Sequence, residues 1–224
     1  LPAHGYLDPL KGWGGFGFYF IENRAAAYVK HPDDKAWLFD PETMKPRVNN
    51  PGWVQAIQDV MDLIAVEGAY PADQINADPG TTGFSQFLAG TGSMLMWWGD
   101  IGSSARTSDT SVVGDVVGFG INPGSDRRYN SIAGAWEETP NEAPVMAYIG
   151  WGIYVTSRVS GDEKKRKAAW SAAAHLGGKD LSLWTAAYPS GFQPYRTSHF
   201  QYEEWEAAGY DRAFVEDYLG SNLD

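Results

Sequence analysis

The clearest pattern of hydrophobic and polar positions lies between residues 50 and 68. Apolar side chains recur there at helical spacing, at Trp53, Ile57, Val60, Met61 and Ile64. Asn50 precedes them as a helix cap, and Pro51 falls in the first turn, where its missing N–H costs nothing. Gly68 follows as a terminator. The pattern therefore predicts a helix that begins at Pro51 and ends before Gly68.

Other segments carry weaker helical patterns. The predicted elements are helices at 83–88, 162–177, 180–188 and 201–219, and an aromatic helix or buried segment within 12–29. The second of these helices is predicted to run from Asp162 to a Gly177 cap. The basic run 164–167 lies in the first turns of that helix, against the dipole preference, and is interpreted as a solvated face.

Three short runs are predominantly apolar and predict buried strands at residues 93–98, 115–123 and 148–157. A strand without a polar face implies a sheet covered on both sides, which favours an α/β fold over a sandwich. Residues 36–51 predict two extended pieces around the turn "DPET", in which Pro41 presets the turn dihedral.

Two stretches break this alternation of helices and strands. Residues 124–147 show no period and contain much Gly, Asn and Pro, which predicts a long loop, and long loops in compact chains usually serve a function. Residues 12–17 match a dinucleotide fingerprint in their glycine spacing. That fingerprint requires a preceding hydrophobic strand, and "HGYLDPLK" is not one. We therefore expect no dinucleotide site.

Charge and composition narrow the possible partners. The 224 residues include 17 Lys and Arg against 28 Asp and Glu, a net charge of −11. Long-range repulsion argues against nucleic acid or an anionic membrane as a partner. No run approaches the ~20 apolar residues of a membrane span. The first residues lack the features of a secretory signal, as they would in a mature protein or in a fragment.

The side chains give little support to catalysis or to a cofactor. Cysteine is absent, which excludes disulfides and thiolate nucleophiles. The four histidines, at 4, 31, 175 and 199, stand in no metal-binding spacing, and neither a nucleophile elbow nor a Walker loop is present. Carboxylates are numerous enough to form accidental pairs. The sequence therefore predicts no catalytic residues, no metal, no cofactor and no enzyme activity.

Binding is better supported, at the end of the run "MLMWWGD". In a strand, neighbouring side chains point to opposite faces, so Trp97 is expected to pack inward with Met94 to Met96, and Trp98 to face the crevice beyond the strand. Gly99 would let a ligand approach the backbone, and Asp100 would accept hydrogen bonds from hydroxyls. Covering one indole face contributes about 2 kcal/mol. Such a trio suits a sugar; the alternatives are that Trp98 is packed and that Asp100 caps a helix.

The other tryptophans fall into two groups. Four lie on helical stripes and are assigned to the core: Trp53, Trp170, Trp184 and Trp205. Trp13, Trp136 and Trp151 lie beside glycines at predicted loop or strand edges, where a ring can stand free. Taken singly, each of these three also fits a packing role.

The order of the segments adds a resemblance. The phrases "FDPETMKPRVNNPGWVQAIQDVMDLIAVEG", "FSQFLAGTGSMLMWWGD", "VVGFGINPG", "GWGIYVTSRVSGDEKKRKAAWSAAAHL" and "GFQPYRTS" follow one another as in the second half of extracellular solute-binding proteins of sugar ABC importers, the maltose-binding-like group. The chain resembles that family, known as family 1, over nearly all of residues 12–200. It departs in "GSM", where the family commonly has another small residue before Met, and in its long loop 124–147. Members are also about twice as long.

The resemblance implies a periplasmic-binding-protein-like α/β fold of two lobes that close around a carbohydrate. The chain would then be a piece of a longer protein: residues 1–115 and 180–224 form the C-terminal ligand-binding lobe, and 116–179 form a hinge-crossing segment packed with the missing N-terminal lobe. The groove residues it implies are Trp13, Trp98, Asp100, Trp151, and Tyr195 or Arg196. Trp136 is predicted to bind the ligand as well, because it lies beside a glycine at a predicted edge. Arg196 would bind hydroxyls or an acidic sugar; its alternative is a salt bridge with a local acid.

The function implied is non-catalytic binding of a mono- or oligosaccharide for delivery to the membrane permease of an ABC importer. The setting would be periplasmic or extracellular, with the signal peptide removed. A carbohydrate-active enzyme or lectin-like module is the alternative, and an enzyme would need paired carboxylates about 5 or 6.5–9.5 Å apart. An exposed apolar surface left by the missing lobe would favour self-association.

Overall fold

Helices dominate the residues that the computed structural model describes, which are 2–7, 10, 16–34, 36–69, 71, 83–143, 152–188 and 192–223. The α-helices are α1 (Phe16–Val29), α2 (Pro51–Ala65), α3 (Gly83–Leu88), α4 (Asp100–Thr107), α5 (Glu163–Leu176), α6 (Lys179–Ala187), α7 (Tyr202–Ala207) and α8 (Arg212–Gly220). The strands are β1 (His4–Leu7), β2 (Gly92–Leu95), β3 (Arg128–Asn130) and β4 (Ala135–Glu137). Among the described helices, none is long and apolar enough to cross a membrane.

The chain forms two compact units. The first unit comprises Leu1–Trp97 with Gly120–Tyr148, and the second comprises Trp98–Phe119 with Ile149–Asp224. The division predicted from the sequence, at residues 115 and 180, concerns the lobes of a longer protein and stays a prediction.

Helix α2 confirms the strongest sequence pattern and anchors the core of the first unit. The Asn50 side chain accepts hydrogen bonds from the N–H groups of Gly52 and Trp53, at 3.0 and 3.2 Å, as a cap should. The Trp53 ring is stacked on Phe18 and on Trp37, with ring centroids 5.9 and 5.7 Å apart. Gly52 has no room for a Cβ, which would lie 2.3 Å from a Val29 methyl, so α2 packs closely against α1.

The first unit contains a parallel strand pair that the sequence prediction partly missed. Residues 4–7, which we did not predict as a strand, form β1 and pair in register with β2, Tyr6 opposite Met94. The strand with which β1 pairs lies almost 90 residues away, so no local pattern predicts β1. The strand predicted at 93–98 is shorter and ends at Leu95. Met94 is 60% exposed, so its predicted interior position is wrong.

The turn "DPET" forms as predicted but with little strand around it. Phe39 and Pro46 make an isolated antiparallel bridge across it. The Asp40 carboxylate accepts from the N–H groups of Glu42 and Thr43, which is the hydrogen bonding of an Asx turn.

The loop predicted at 124–147 contains a hairpin instead, in the part that is described. Strands β3 and β4 pair in antiparallel register, with Tyr129 opposite Trp136 and their rings edge to face at 5.6 Å. Gly134 closes the connecting turn with a positive φ of 67°. Three-residue strands are too short for their alternation to be recognised in sequence, which is why the prediction was wrong.

The strands predicted at 115–123 and 148–157 are also wrong where they are described. Residues 115–123 form a turn followed by irregular chain, and residues 152–156 have no regular secondary structure and no ladder partner among the described residues. Apolar composition predicts burial, but a strand exists only when another backbone accepts its hydrogen bonds.

The core of the second unit lies under the C-terminal helices. It contains Ala186, Ala187, Trp205, Tyr210, Phe214, Val215, Tyr218 and Leu219. Trp205 is fully buried, as predicted. Trp170 and Trp184 are 59% and 53% exposed, so their predicted core positions are wrong. Helix α5 begins after the Asp162 cap and ends at Gly177 as predicted, yet it has no buried residue in the structure as described.

Candidate functional site

The predicted binding turn, Trp98–Asp100, leads directly into α4. Gly99 is the N-cap residue and Asp100 is the first helical residue, so the cap position that we considered for Asp100 belongs to Gly99. A carboxylate in the first turn is stabilised by the positive end of the helix dipole. The side chains of Trp98 and Asp100 are both half-buried, so part of each remains at the surface of the second unit.

Gly99 is held between two distant segments of the second unit. The Tyr218 hydroxyl donates a 2.6 Å hydrogen bond to the Gly99 carbonyl. A Cβ on Gly99 would lie 2.8 Å from the Gln193 Cβ, so only glycine allows this close approach. Burial raises the pKa of Tyr218, and the charge of the nearby Asp100 carboxylate raises it further. The turn therefore has a fixed backbone beside the segment that contains Gln193.

That segment continues into Tyr195 and Arg196, two further predicted site residues. Tyr195 is exposed over about half its surface, and its ring meets the His199 ring edge to face at 4.7 Å. The Arg196 guanidinium donates to the Gly177 carbonyl at 2.6 Å and lies 5.8 Å from the centre of the Tyr195 ring. The predicted alternative for Arg196 was an acid partner; the partner observed is a backbone carbonyl at the end of α5.

Trp136 lies in the first unit, on β4, in a different environment. The Arg127 guanidinium lies over its ring at 4.4 Å, and the Tyr28 ring meets it edge to face at 6.0 Å. A cation over one face is a favourable contact, and it removes that face as an open platform. Trp136 therefore serves the packing of the hairpin on at least one side.

An open polar cavity of about 660 Å³ lies beside this hairpin. Its lining includes Tyr28, Gln55, Ser125, Asp126, Arg127 and Glu138. The Tyr28 hydroxyl donates to Asp59 at 2.5 Å, and burial with this acidic partner raises the pKa of Tyr28 to about 12. Arg127 donates to the Gln55 side chain at 3.1 Å. Arg127 and Gln55 on this wall are thus already bound to each other, and Tyr28 is bound to Asp59.

Glu137 ties the hairpin to the chain that follows α1. Its carboxylate accepts hydrogen bonds from Asn130 at 2.8 Å, Arg128 at 2.9 Å and His31 at 3.1 Å. These donors, Asn130 first, lower the pKa of Glu137 to about 2. The Asp33 N–H donates to the other ring nitrogen of His31. The cluster is a structural brace, and nothing in it is arranged as a nucleophile.

Four of the predicted site residues belong to one unit, and that they form one site stays a prediction. Trp98, Asp100, Tyr195 and Arg196 belong to the second unit, where Gly99 contacts Gln193; Trp136 belongs to the first unit; Trp13 and Trp151 lie outside the described residues. Sequence reasoning missed Tyr218 and Gln193. Tyr218 gave only the signal of a core residue on an amphipathic helix. Within the described residues, no group of three acidic or histidine side chains is placed to hold a metal ion.

Comparison with known proteins gives a match in structure but not in sequence. No family model matches the chain, and no curated protein is similar to it in sequence. The solved structure of maltose-bound MalE3 from T. maritima is similar, with a TM-score of 0.65 and 17% identity, over 99% of this chain and 49% of that one. The chain therefore spans about half the length of that protein. It has the predicted α/β fold, that of part of a two-lobe periplasmic binding protein.

Proposed function

We propose that this chain is part of a solute-binding protein that binds a carbohydrate without catalysis and delivers it to the permease of an ABC importer. The observation that carries the proposal is the likeness of nearly the whole chain to a maltose-bound protein. Binding proteins of this kind work outside the cytoplasmic membrane, so we place the protein in the periplasm or outside the cell.

The turn Trp98–Asp100 and the segment 193–196 supply the chemistry for a sugar in the second unit. An indole covers an apolar sugar face, while a carboxylate and a guanidinium fix the hydroxyls at its rim. Both segments are attached by their backbones to buried residues, Gly99 to Tyr218 and Tyr195 to His199. Such preorganisation lowers the entropy cost of binding. Trp13, Trp136 and Trp151 remain proposed contacts.

We also propose that residues 116–179 pack against a further lobe of a longer protein, as the resemblance implies. Helix α5 and the segment before it form an apolar groove of about 260 Å³, which includes Ile153, Val159, Ala169 and Leu176. The side chains of Ile153, Trp170 and Leu176 are each more than half exposed. The structurally similar protein is about twice as long, which leaves a lobe of matching size to cover this surface.

A sugar titration followed by NMR tests the proposed function, because it detects weak binding. Maltose, glucose and an unrelated dipeptide are each added to the 224-residue chain up to tens of millimolar. We expect amide shifts at residues 98–100 and 193–196 with a sugar, and their loss in Trp98→Ala but not in the exposed control Trp184→Ala. Shifts with the dipeptide alone would change the ligand class. Release of reducing sugar from an oligosaccharide would show an enzyme instead.

A further inference from the structure

His199 is buried directly beneath the exposed residues Tyr195 and Arg196. The histidine is fully buried, and both of its ring nitrogens are hydrogen bonded. Nε2 lies 3.0 Å from the Ser182 hydroxyl, and the Tyr195 N–H donates to Nδ1 at 3.4 Å. The His199 carbonyl accepts from the Trp205 indole at 2.7 Å. A buried ring with this many partners is fixed in place.

The partners of His199 define its tautomer. The Tyr195 N–H can only donate, so Nδ1 must accept and the ring proton lies on Nε2. Nε2–H then donates to the Ser182 hydroxyl, whose own proton goes to the Lys179 carbonyl at 2.9 Å. Burial lowers the pKa of His199, and the charge of Arg196 lowers it further, which favours the neutral ring. Ser182 is sealed in this chain of hydrogen bonds and is no exposed nucleophile.

We propose that His199 is a positioning residue: through Nδ1 its neutral ring holds the backbone of Tyr195 so that Tyr195 and Arg196 are presented to a sugar beside Gly99. The inference rests on the proposed function and adds a residue that touches no ligand itself. Tyr195 is attached to the ring both by its N–H and by its own aromatic edge. Without the Nδ1 acceptor, this attachment loses its directional part.

Two substitutions separate the two ring nitrogens. In His199→Asn the side-chain oxygen replaces the Nδ1 acceptor and the bond to Ser182 is lost; in His199→Gln the amide nitrogen replaces the Nε2 donor and the acceptor for Tyr195 is lost. Asn is one methylene smaller than Gln, so a purely structural role predicts the larger loss in His199→Asn, the reverse of the order that we expect for exchange at Tyr195. Ser182→Ala serves as a control that leaves Nδ1 untouched.

Amide hydrogen exchange and a maltose titration by NMR, on the same 224-residue chain, give two readouts. We expect exchange at Tyr195 to accelerate about five- to tenfold in His199→Gln relative to His199→Asn, as the loss of one hydrogen bond allows. We expect maltose affinity to fall by a similar factor in His199→Gln only.

Equal exchange rates in the two variants would overturn the inference, since the ring would then act only as packing. A difference in exchange without a difference in maltose affinity would overturn the inference as well, because His199 would then hold the segment of Tyr195 and Arg196 without any effect on sugar binding. If the parent chain responds to no sugar, the proposed function fails, and the exchange rates still decide whether Nδ1 holds Tyr195.

Discussion

Replacing Trp205 by alanine is expected to remove much of the stability of the second unit. The side chain is fully buried, donates a hydrogen bond to the His199 carbonyl, and meets the Tyr210 and Tyr218 rings edge to face at 5.4 Å. Truncation of a buried tryptophan costs about 3–5 kcal/mol in the free energy of unfolding. The free energy of unfolding of a native domain is only about 5–15 kcal/mol, so the variant should lie near the limit of folding.

Trp170→Ala is the matched comparison, because it makes the same chemical change on another helix of the same unit. Its side chain is 59% exposed, so we expect the free energy of unfolding to change by no more than about 0.5 kcal/mol. Urea unfolding followed by far-ultraviolet circular dichroism measures both variants, since neither substitution alters that signal directly. Trp205→Phe keeps an aromatic ring and loses the indole N–H, and should fall between the two.

Equal losses of unfolding free energy in the two alanine variants would contradict this prediction, because burial would then not distinguish the two positions. The same pair also tests the proposed packing of residues 116–179. In a longer protein whose additional lobe covers α5, Trp170→Ala should cost about 2 kcal/mol or more. An unchanged small cost there would mean that Trp170 is a surface residue in both forms.

Two other perturbations have clear signs. The pKa of Glu137 is lowered to about 2 in the folded state from an ordinary 4.5. Its stabilising effect is therefore present above pH 4.5 and is lost as the pH falls to 2. The midpoint of urea unfolding should fall over this pH range, and it should fall less in Glu137→Gln. In Gly102→Ala the new Cβ would lie 2.4 Å from the buried Tyr218 ring, which predicts a loss of about 1–3 kcal/mol in the free energy of unfolding. Gly220→Ala, where a Cβ would meet no other atom, should lose no stability. Equal thermal midpoints for the two variants would contradict this prediction.

Sequence reasoning succeeded where the determinants are local. The start of α2 depends on Asn50 and Pro51, which lie next to the residues they cap. Of the apolar positions that the spacing marked, Trp53 and Val60 are buried, whereas Ile57 and Met61 are exposed. The start of α5 at Asp162, which is in fact its cap, and its terminator Gly177 were predicted in the same way. In each case the hydrogen bonds close within a few residues, so the sequence window contains both partners.

Prediction from the sequence failed where a residue's hydrogen-bonding or packing partner is distant in the chain. Strand β1 forms because it pairs with β2, which lies almost 90 residues later in the chain. Residues 115–123 form no strand because they have no pairing partner among the described residues. Trp170 illustrates the same limit for burial: helical spacing predicts a stripe, but whether another element covers the stripe is decided elsewhere. The turn Trp98–Asp100 was predicted as a site from its residue types and stays a prediction, while Tyr218, which hydrogen bonds it, gave no such signal.

The two segments of the proposed site share one support, and this links the predictions. Tyr218 fixes the Gly99 carbonyl, and His199 fixes the Tyr195 N–H. Trp205 contacts the ring of Tyr218 and hydrogen bonds the carbonyl of His199. Loss of Trp205 should therefore loosen both segments together, whereas Tyr218→Phe should accelerate exchange only in the turn after Trp98.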